Sequence, residues 1–85
     1  MEYHESNIDP KLIAALIEAV KKPIDIKDIN ETTDIVNEIG MDSLSLMSLT
    51  IKLESLYSID VASNIHILMK VVTVADLQKY VNDLT

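Results

Sequence analysis

The residues of this chain best suited to chemistry are an aspartate and a serine that follow its only glycine, in the stretch Gly40-Met41-Asp42-Ser43-Leu44. Glycine permits a sharp change of chain direction. Asp42 is a strong candidate for a helix N-cap, because its carboxylate can accept a backbone N–H. Ser43 would then lie in the first helical turn, where the helix dipole favours an attached anionic group. We therefore interpret Ser43 as the attachment point of a phosphate-linked arm.

Two simpler interpretations compete with this one. An Asp-Ser pair at a helix start commonly serves as a cap alone. A serine nucleophile would need a base that a third group orients, but the only histidines, His4 and His66, have no recognisable partner spacing. The chain has no cysteine, which excludes disulfides and thiolate metal sites. We therefore expect no catalytic residue, no metal site and no enzymatic activity.

Composition narrows the class of protein. The 85 residues carry a net charge of −7, which argues against nucleic-acid binding and favours partners with basic patches. No apolar run approaches the roughly 20 residues that span a bilayer, and the polar start of the chain does not resemble a signal peptide. We expect a cytoplasmic monomer without membrane insertion. Hydrophobic residues make up 48% of the chain, with no Trp or Phe, so the aliphatic core could open to admit a flexible apolar guest.

The pattern of helix signals divides the chain into a flexible N-terminal tail, residues 1–8, and one domain, residues 9–85. Asp9 and Pro10 mark the start of a first helix, which Pro23 ends. A long connection over residues 23–41 is studded with isoleucines, which we expect to pin it to the core. Thr73 is a candidate cap for the last helix, whose core face is formed by Val74, Leu77, Val81 and Leu84. The apolar run 65–72 fits either a short helix or a strand.

The second helix, from about Asp42 to Tyr57, carries two apolar stripes when residues are placed about 100° apart. The stripe assigned to the core consists of Leu46, Leu49, Leu53, Leu56 and Tyr57. Leu44, Met47 and Ile51 lie on roughly the opposite side, near Ser43. This second stripe is either a partly exposed docking surface or is covered by the long connection.

The motif Gly40-Met41-Asp42-Ser43-Leu44, followed by the first apolar stripe, resembles the 4′-phosphopantetheine attachment region of acyl carrier proteins. Further along, 53–57, 59–61 and 72–74 resemble the end of that family's second helix and the entry to its last helix. The resemblance covers about residues 9–84.

The resemblance implies an all-α fold, an antiparallel four-helix bundle with a short third helix and a long loop between helices one and two. It implies that a phosphopantetheinyl transferase, using coenzyme A and magnesium, attaches 4′-phosphopantetheine covalently to Ser43, with Asp42 as cap and transferase contact. The arm would hold acyl groups as thioesters and deliver them to acyl-loading, chain-elongating or acyl-transfer enzymes. Partner docking would involve Leu44, Met47, Ile51 and Glu54. From the aliphatic core we further expect an acyl pocket between the helices, formed mainly by the face of Leu46, Leu49 and Leu53 and by the last helices.

The sequence departs from bacterial fatty-acid carriers in its charges. Ser45, Ser48 and Ser55 replace acidic residues of helix two, Lys52 adds a positive charge, and the segment 61–75 contains no acidic residue. Electrostatic steering on this face should therefore be weaker. The departures favour a specialised pathway, such as polyketide, lipopeptide or unusual acyl synthesis, over housekeeping fatty-acid synthesis, and acylation of modified lipids or glycolipids stays open.

Two alternatives remain. One is a non-carrying helical interaction module that docks partners through Leu44, Met47 and Ile51 with Ser43 unmodified. The other is a peptidyl or aminoacyl carrier, which the motif fits less well. The sequence does not identify the acyl cargo or the partner enzymes.

Overall fold

The computed structural model describes residues 8–85, and within them the chain forms four α-helices and no strand. The helices are α1 (Pro10–Ala19), α2 (Ser43–Tyr57), α3 (Ile65–Leu68) and α4 (Val74–Leu84), with 3₁₀ turns at Ile26–Asp28 and Ala62–Asn64. This confirms the predicted all-helical bundle with a short third helix and a long first loop. The undecided run 65–72 begins with α3 and continues as a turn, without a strand.

Three predicted caps hold the three long helices at their N-termini. The side chain of Asp9 accepts a hydrogen bond from the backbone N–H of Lys11. Asp42 caps α2, and Thr73 forms a reciprocal capping box with Asp76 at the start of α4. Each cap satisfies a backbone donor that has no partner inside its own helix. The caps explain why the helices begin at Pro10, Ser43 and Val74.

The N-terminal boundary and the end of α1 differ from a simple interpretation of the sequence. The predicted tail, residues 1–8, lies outside the described residues except for Ile8, which is buried in the core. Helix α1 ends at Ala19, before Pro23, and Val20 adopts an extended conformation. Helix α1 therefore ends several residues before Pro23, so the proline is not what terminates it.

Asp9 also ties α1 to the other two long helices. The hydroxyl of Tyr57 donates to Asp9 Oδ2 at 2.9 Å, and the Asp9 backbone N–H donates to Gln78 Oε1 at 2.7 Å. The hydrogen bond from the Lys11 backbone N–H is the main cause that lowers the pKa of Asp9, and Tyr57 adds to it. One capping residue thus connects α1, α2 and α4.

The core is aliphatic apart from Tyr80 among the described residues, close to what the composition predicted, and most of the predicted stripe residues reach it. Side chains from all three long helices are fully buried, among them Leu12, Leu16, Leu49, Leu53, Val74, Leu77 and Val81. Leu56 was wrongly assigned to the core stripe, because it is 46% exposed at the end of α2. Tyr80 and Gln78 are buried on α4 and were absent from the predicted core face.

The connection between α1 and α2 is fixed to the rest of the fold by both side chains and backbone. Ile29, Ile35 and Ile39 are buried, whereas Ile26 is 55% exposed and does not pin the loop. Three backbone hydrogen bonds join this loop to the start of α4. The N–H of Ile35 donates to Val72 O at 2.8 Å, that of Val74 to Thr33 O at 3.1 Å and that of Ala75 to Glu31 O at 3.0 Å. The loop is therefore part of the bundle.

Two isoleucines of this loop provide a matched test of its anchoring. Ile39→Val should lower the free energy of unfolding by about 0.5–1.5 kcal/mol, because a buried methyl group is lost next to the turn at Gly40. Ile26→Val, at an exposed position of the same loop, should change it by less than about 0.5 kcal/mol. Urea denaturation followed by circular dichroism measures both. Equal effects of the two substitutions would show that the loop is not anchored through Ile39.

Candidate functional site

The turn before α2 depends on the backbone conformation of Gly40. Its φ is +87°, in the left-handed region that residues with a Cβ rarely occupy. Space is not the constraint, since a Cβ at this position would meet only the Lys22 side chain, at 3.8 Å. The glycine is therefore required for the path of the chain, which turns here from the anchored loop into α2.

Asp42 has extended backbone angles and caps α2. Its Oδ1 accepts a hydrogen bond of 2.8 Å from the backbone N–H of Ser45. This bond is the main cause that lowers the pKa of the Asp42 carboxyl, and the charge of Lys21 contributes. The Ser45 hydroxyl also lies near enough to lower the pKa, although its geometry is not that of a hydrogen bond. Asp42 therefore stays ionised at neutral pH.

Ser43 is the first residue of α2, and it is exposed. The backbone N–H groups of the first helical turn lack partners inside the helix, so this end of α2 is electropositive. An anionic group bound to the Ser43 hydroxyl would therefore be stabilised by the helix and reachable from outside. The structure thus places Ser43 where a separate enzyme could reach it.

An apolar cavity opens beside Ser43. Its volume is about 240 Å³, and it extends from the start of α2 towards α4 and the segment after α3. Asp42 and Ser43 are its only polar lining residues among those described. The apolar lining consists of Ile35, Val36, Met41, Leu46, Leu49, Leu68, Met69, Val71 and Leu77. A hydrophobic group tethered to Ser43 could enter it.

The second apolar stripe of α2 is exposed. Leu44, Met47 and Ile51 expose 61%, 64% and 67% of their surface, so the long loop does not cover them. They follow Ser43 along one side of the helix. Large exposed side chains in a continuous row are typical of an interaction surface.

A family model described as the phosphopantetheine attachment site matches residues 10–81. The chain belongs to this family. The match covers α1, α2 and α3 completely and α4 as far as Val81. No curated protein and no solved structure matches the chain significantly.

Family membership establishes the cofactor and the general role of this carrier domain. Phosphopantetheine-attachment domains receive 4′-phosphopantetheine covalently, and they are generally non-catalytic carriers. Such domains typically interact with phosphopantetheinyl transferases and acyl-processing enzymes. Among residues 8–85, no cluster of three or more His, Cys, Asp or Glu side chains could hold a metal ion. No helix in that range is long and apolar enough to cross a membrane.

Three expectations about individual residues of this carrier need adjustment. Glu54 is engaged inside the protein, since its Oε2 accepts from the backbone N–H groups of Val61 and Ala62 at 3.0 and 3.1 Å. Leu53 is fully buried but does not line the cavity beside Ser43, whereas Leu46 and Leu49 do. Ser45 is 2% exposed, so it does not belong to the surface on which fatty-acid carriers have acidic residues.

The sequence did not reveal most of the cavity lining. The last helices were expected to contribute, and Leu77 of α4 does so, but Ile35, Val36 and Met41 come from the loop, which chain folding brings to the cavity. The apolar run 65–72 was the available signal, because it supplies Leu68, Met69 and Val71 to the wall. Its secondary structure, however, could not be decided from periodicity.

The cap of α2 predicts a specific dependence of stability on pH. The pKa of Asp42 is lower in the folded carrier than in the unfolded chain, so ionised Asp42 stabilises the fold above about pH 4. That contribution is lost as the pH falls through the folded-state pKa. Asp42→Asn should keep the cap but lose this pH-dependent part. Its unfolding midpoint should fall less steeply than that of the wild type between about pH 5 and pH 2.

Thermal unfolding measured across this pH range tests the prediction. Asp42→Ala is the companion variant, since it removes the cap and should be less stable than Asp42→Asn throughout. Parallel pH curves for the wild type and Asp42→Asn would contradict a role for the ionised carboxylate.

Proposed function

We propose that Ser43 is the residue that carries 4′-phosphopantetheine, and that the protein transports acyl groups between enzymes as thioesters of this arm. The observation that best supports this proposal is the position of Ser43, which is exposed, begins a capped helix and lies beside an apolar cavity. The aliphatic cavity supports an acyl cargo. The partner enzymes would belong to fatty-acid, polyketide or related specialised acyl biosynthesis. The monomeric state and cytoplasmic location expected from the sequence stay predictions.

The attachment reaction requires a partner enzyme. Transfer from coenzyme A forms a bond between Ser43 Oγ and phosphorus, breaks the phosphoanhydride and releases adenosine 3′,5′-bisphosphate. The hydroxyl proton passes to a base of the transferase, because no hydrogen bond joins the Ser43 hydroxyl to a basic side chain within residues 8–85. Within 8–85 the one histidine is the exposed His66, which does not line the cavity at Ser43. We propose that this carrier contributes the nucleophile, the electropositive helix end and the Asp42 contact.

Partner enzymes would dock on the exposed stripe of Leu44, Met47 and Ile51. A second concave surface of about 320 Å³ continues this stripe, lined by Met47, Thr50, Ile51, Ala62 and Ile65. No charged residue lines it, and one oxygen of Glu54 accepts hydrogen bonds from two backbone amides. Recognition on this face therefore depends on shape and apolar contact more than on charge.

The cavity supports a proposal that the acyl chain is partly shielded from water. Leu46 and Leu49, two of the three predicted pocket residues, line it together with residues of the loop and α4. Burying a hydrocarbon chain there removes apolar surface from water. The cargo would be protected in transit and exposed again when a partner draws out the arm.

The alternative is a helical module that docks partners without a cargo. The exposed stripe alone would serve it equally well. The position of Ser43 and the adjoining cavity favour the carrier, because a docking module needs neither of them.

Covalent attachment to Ser43 provides the decisive test. We expect the wild-type protein to gain one 4′-phosphopantetheine when it is incubated with coenzyme A, magnesium and a broad-specificity phosphopantetheinyl transferase. Ser43→Ala should gain none, and Ser55→Ala, which removes another exposed hydroxyl of α2, should be modified like the wild type. Intact mass spectrometry measures the outcome, with circular dichroism to verify folding. A folded wild-type protein that stays unmodified beside a modified reference carrier would favour the docking module.

The exposed stripe should be needed for recognition by the transferase. Met47→Ala should lower kcat/KM for modification by about fivefold to tenfold, because an apolar interface anchor is lost. Leu56→Ala is the matched control, since Leu56 is also exposed on α2 but lines the groove between α1 and α2. The free energy of unfolding of both variants should remain within about 0.5 kcal/mol of that of the wild type. Equal kinetic effects would assign the docking surface elsewhere.

A further inference from the structure

The methionines of this carrier lie around the attachment serine and outside the buried core. Within residues 8–85 they are Met41, Met47 and Met69. Resting on the function proposed above, we propose that Met47 is a reversible oxidation site, at which a hydroperoxide converts the thioether to the sulfoxide and thereby weakens recognition by partner enzymes. Three features of Met47 lead to this assignment: its exposure, its place in the docking stripe and the lack of a free side-chain donor beside it.

Met47 and Met69 are open to solvent. They expose 64% and 68% of their surface, and no large apolar side chain of the described residues exposes more than Met69. Met41 is half-buried against the core, and no methionine belongs to the fully buried set within residues 8–85. Methionine commonly fills gaps in a core or provides an adaptable binding surface. The exposure of Met47 fits the second use, and it leaves the sulfur within reach of a dissolved oxidant.

The oxidation moves one oxygen atom from the peroxide to sulfur. A lone pair of Met47 Sδ attacks one oxygen of the hydroperoxide, an S–O bond forms, and the O–O bond breaks. The hydroperoxide proton passes to the departing oxygen, which leaves as water or as an alcohol. The thioether is oxidised and the peroxide is reduced. Since the chain has no cysteine, no thiol competes for the peroxide before the arm is attached.

The sulfoxide would place a hydrogen-bond acceptor in an apolar surface. Met47 lines the concave surface that continues the docking stripe, and its neighbours there are Thr50, Ile51, Ala62 and Ile65. The one hydroxyl of this lining, on Thr50, already donates to Leu46 O at 2.9 Å. The sulfoxide oxygen therefore finds no free side-chain donor in the lining, and it loses its water when an apolar partner surface covers it. Docking is weakened as a result.

Met69 provides a comparison within the same protein. It is about as exposed as Met47, so peroxide should reach both sulfur atoms. Met69 lines the cavity beside Ser43 and lies outside the docking stripe. Its oxidation should therefore affect recognition much less than oxidation of Met47. Because both side chains face water in the free carrier, neither sulfoxide removes a buried contact, and the fold should persist.

The test compares attachment of the arm before and after oxidation. The protein without its arm is treated with hydrogen peroxide, the excess is removed with catalase, and peptide mapping by mass spectrometry measures the sulfoxide at each methionine. We expect kcat/KM for attachment by the transferase to fall by at least about fivefold, because a polar group is desolvated without a partner. Methionine sulfoxide reductases for both epimers, with a dithiol as reductant, should restore the original value.

Two variants assign the effect to one sulfur atom. Met47→Leu retains an apolar side chain of similar volume but cannot form a sulfoxide, so peroxide should lower its kcat/KM by less than about twofold. Met69→Leu retains Met47 and should lose as much as the wild type. Each oxidised sample is compared with the same variant before peroxide, so any effect of the leucine itself cancels. Circular dichroism verifies that every sample is folded.

The outcomes separate this inference from the proposed function. A loss in the wild type and in Met69→Leu but not in Met47→Leu, reversed by the reductases, supports the inference. An equal loss in Met47→Leu, a loss that the reductases do not reverse, or full activity of a wild type with oxidised Met47 overturns it. So does a Met47 that stays reduced while Met69 is oxidised. In these cases attachment to the untreated protein still establishes a carrier. A folded, untreated wild type that accepts no arm overturns both.

Discussion

The attachment of the long loop to the start of α4 is the constraint on which the site depends. Backbone hydrogen bonds join residues 31–35 to residues 72–75, and the buried Ile35 and Ile39 hold the same segment against the core. Gly40 can turn the chain into α2 at a fixed place only because the residues before it are immobilised in this way. Without these contacts, the cap and the serine would lie at the end of a loose connection of about twenty residues, whose closure is entropically costly.

The same attachment builds the cavity. Ile35 and Met41 contribute walls from the loop, and Val71 contributes a wall from the segment that the loop binds. Because the backbone polar groups of these segments bond to each other, the enclosed surface can be hydrocarbon without buried unpaired amides. Fixing the loop and preparing an apolar cavity are therefore two consequences of one set of hydrogen bonds.

Local signals in the sequence predicted the elements well, because caps and positive-φ turns depend on only a few neighbouring residues. Asp9, Asp42, Thr73 and Gly40 all act where their chemistry indicated. Errors arose where the answer depends on packing between distant segments. Leu56 has the periodicity of the core stripe, but it lies at the end of α2 where no neighbouring element covers it fully.

The adjusted positions on α2 have a similar cause. Ser45 follows the pattern of a surface position, yet it is buried in the first turn of α2, and its hydroxyl has no hydrogen-bond partner within residues 8–85. Glu54 had every feature of an exposed acidic contact, but the chain returns after α2 and presents two backbone N–H groups to it. Helical periodicity assigns a side chain to a face without indicating which other segment will reach that face.

These adjustments strengthen the argument for recognition through apolar contact. Glu54 directs Oε2 towards two backbone N–H groups of the segment after α2, and one acidic side chain oriented in this way does not replace the charges missing at the serines along α2. The remaining charge of Lys52 is paired with Glu18 of α1 at 3.2 Å, on the groove side of the helix. The exposed stripe of Leu44, Met47 and Ile51 is consequently apolar on a protein of net charge −7, with the ionised Asp42 at its N-terminal end. Acidic residues elsewhere can draw a basic partner from a distance, while Leu44, Met47 and Ile51 determine whether that partner fits.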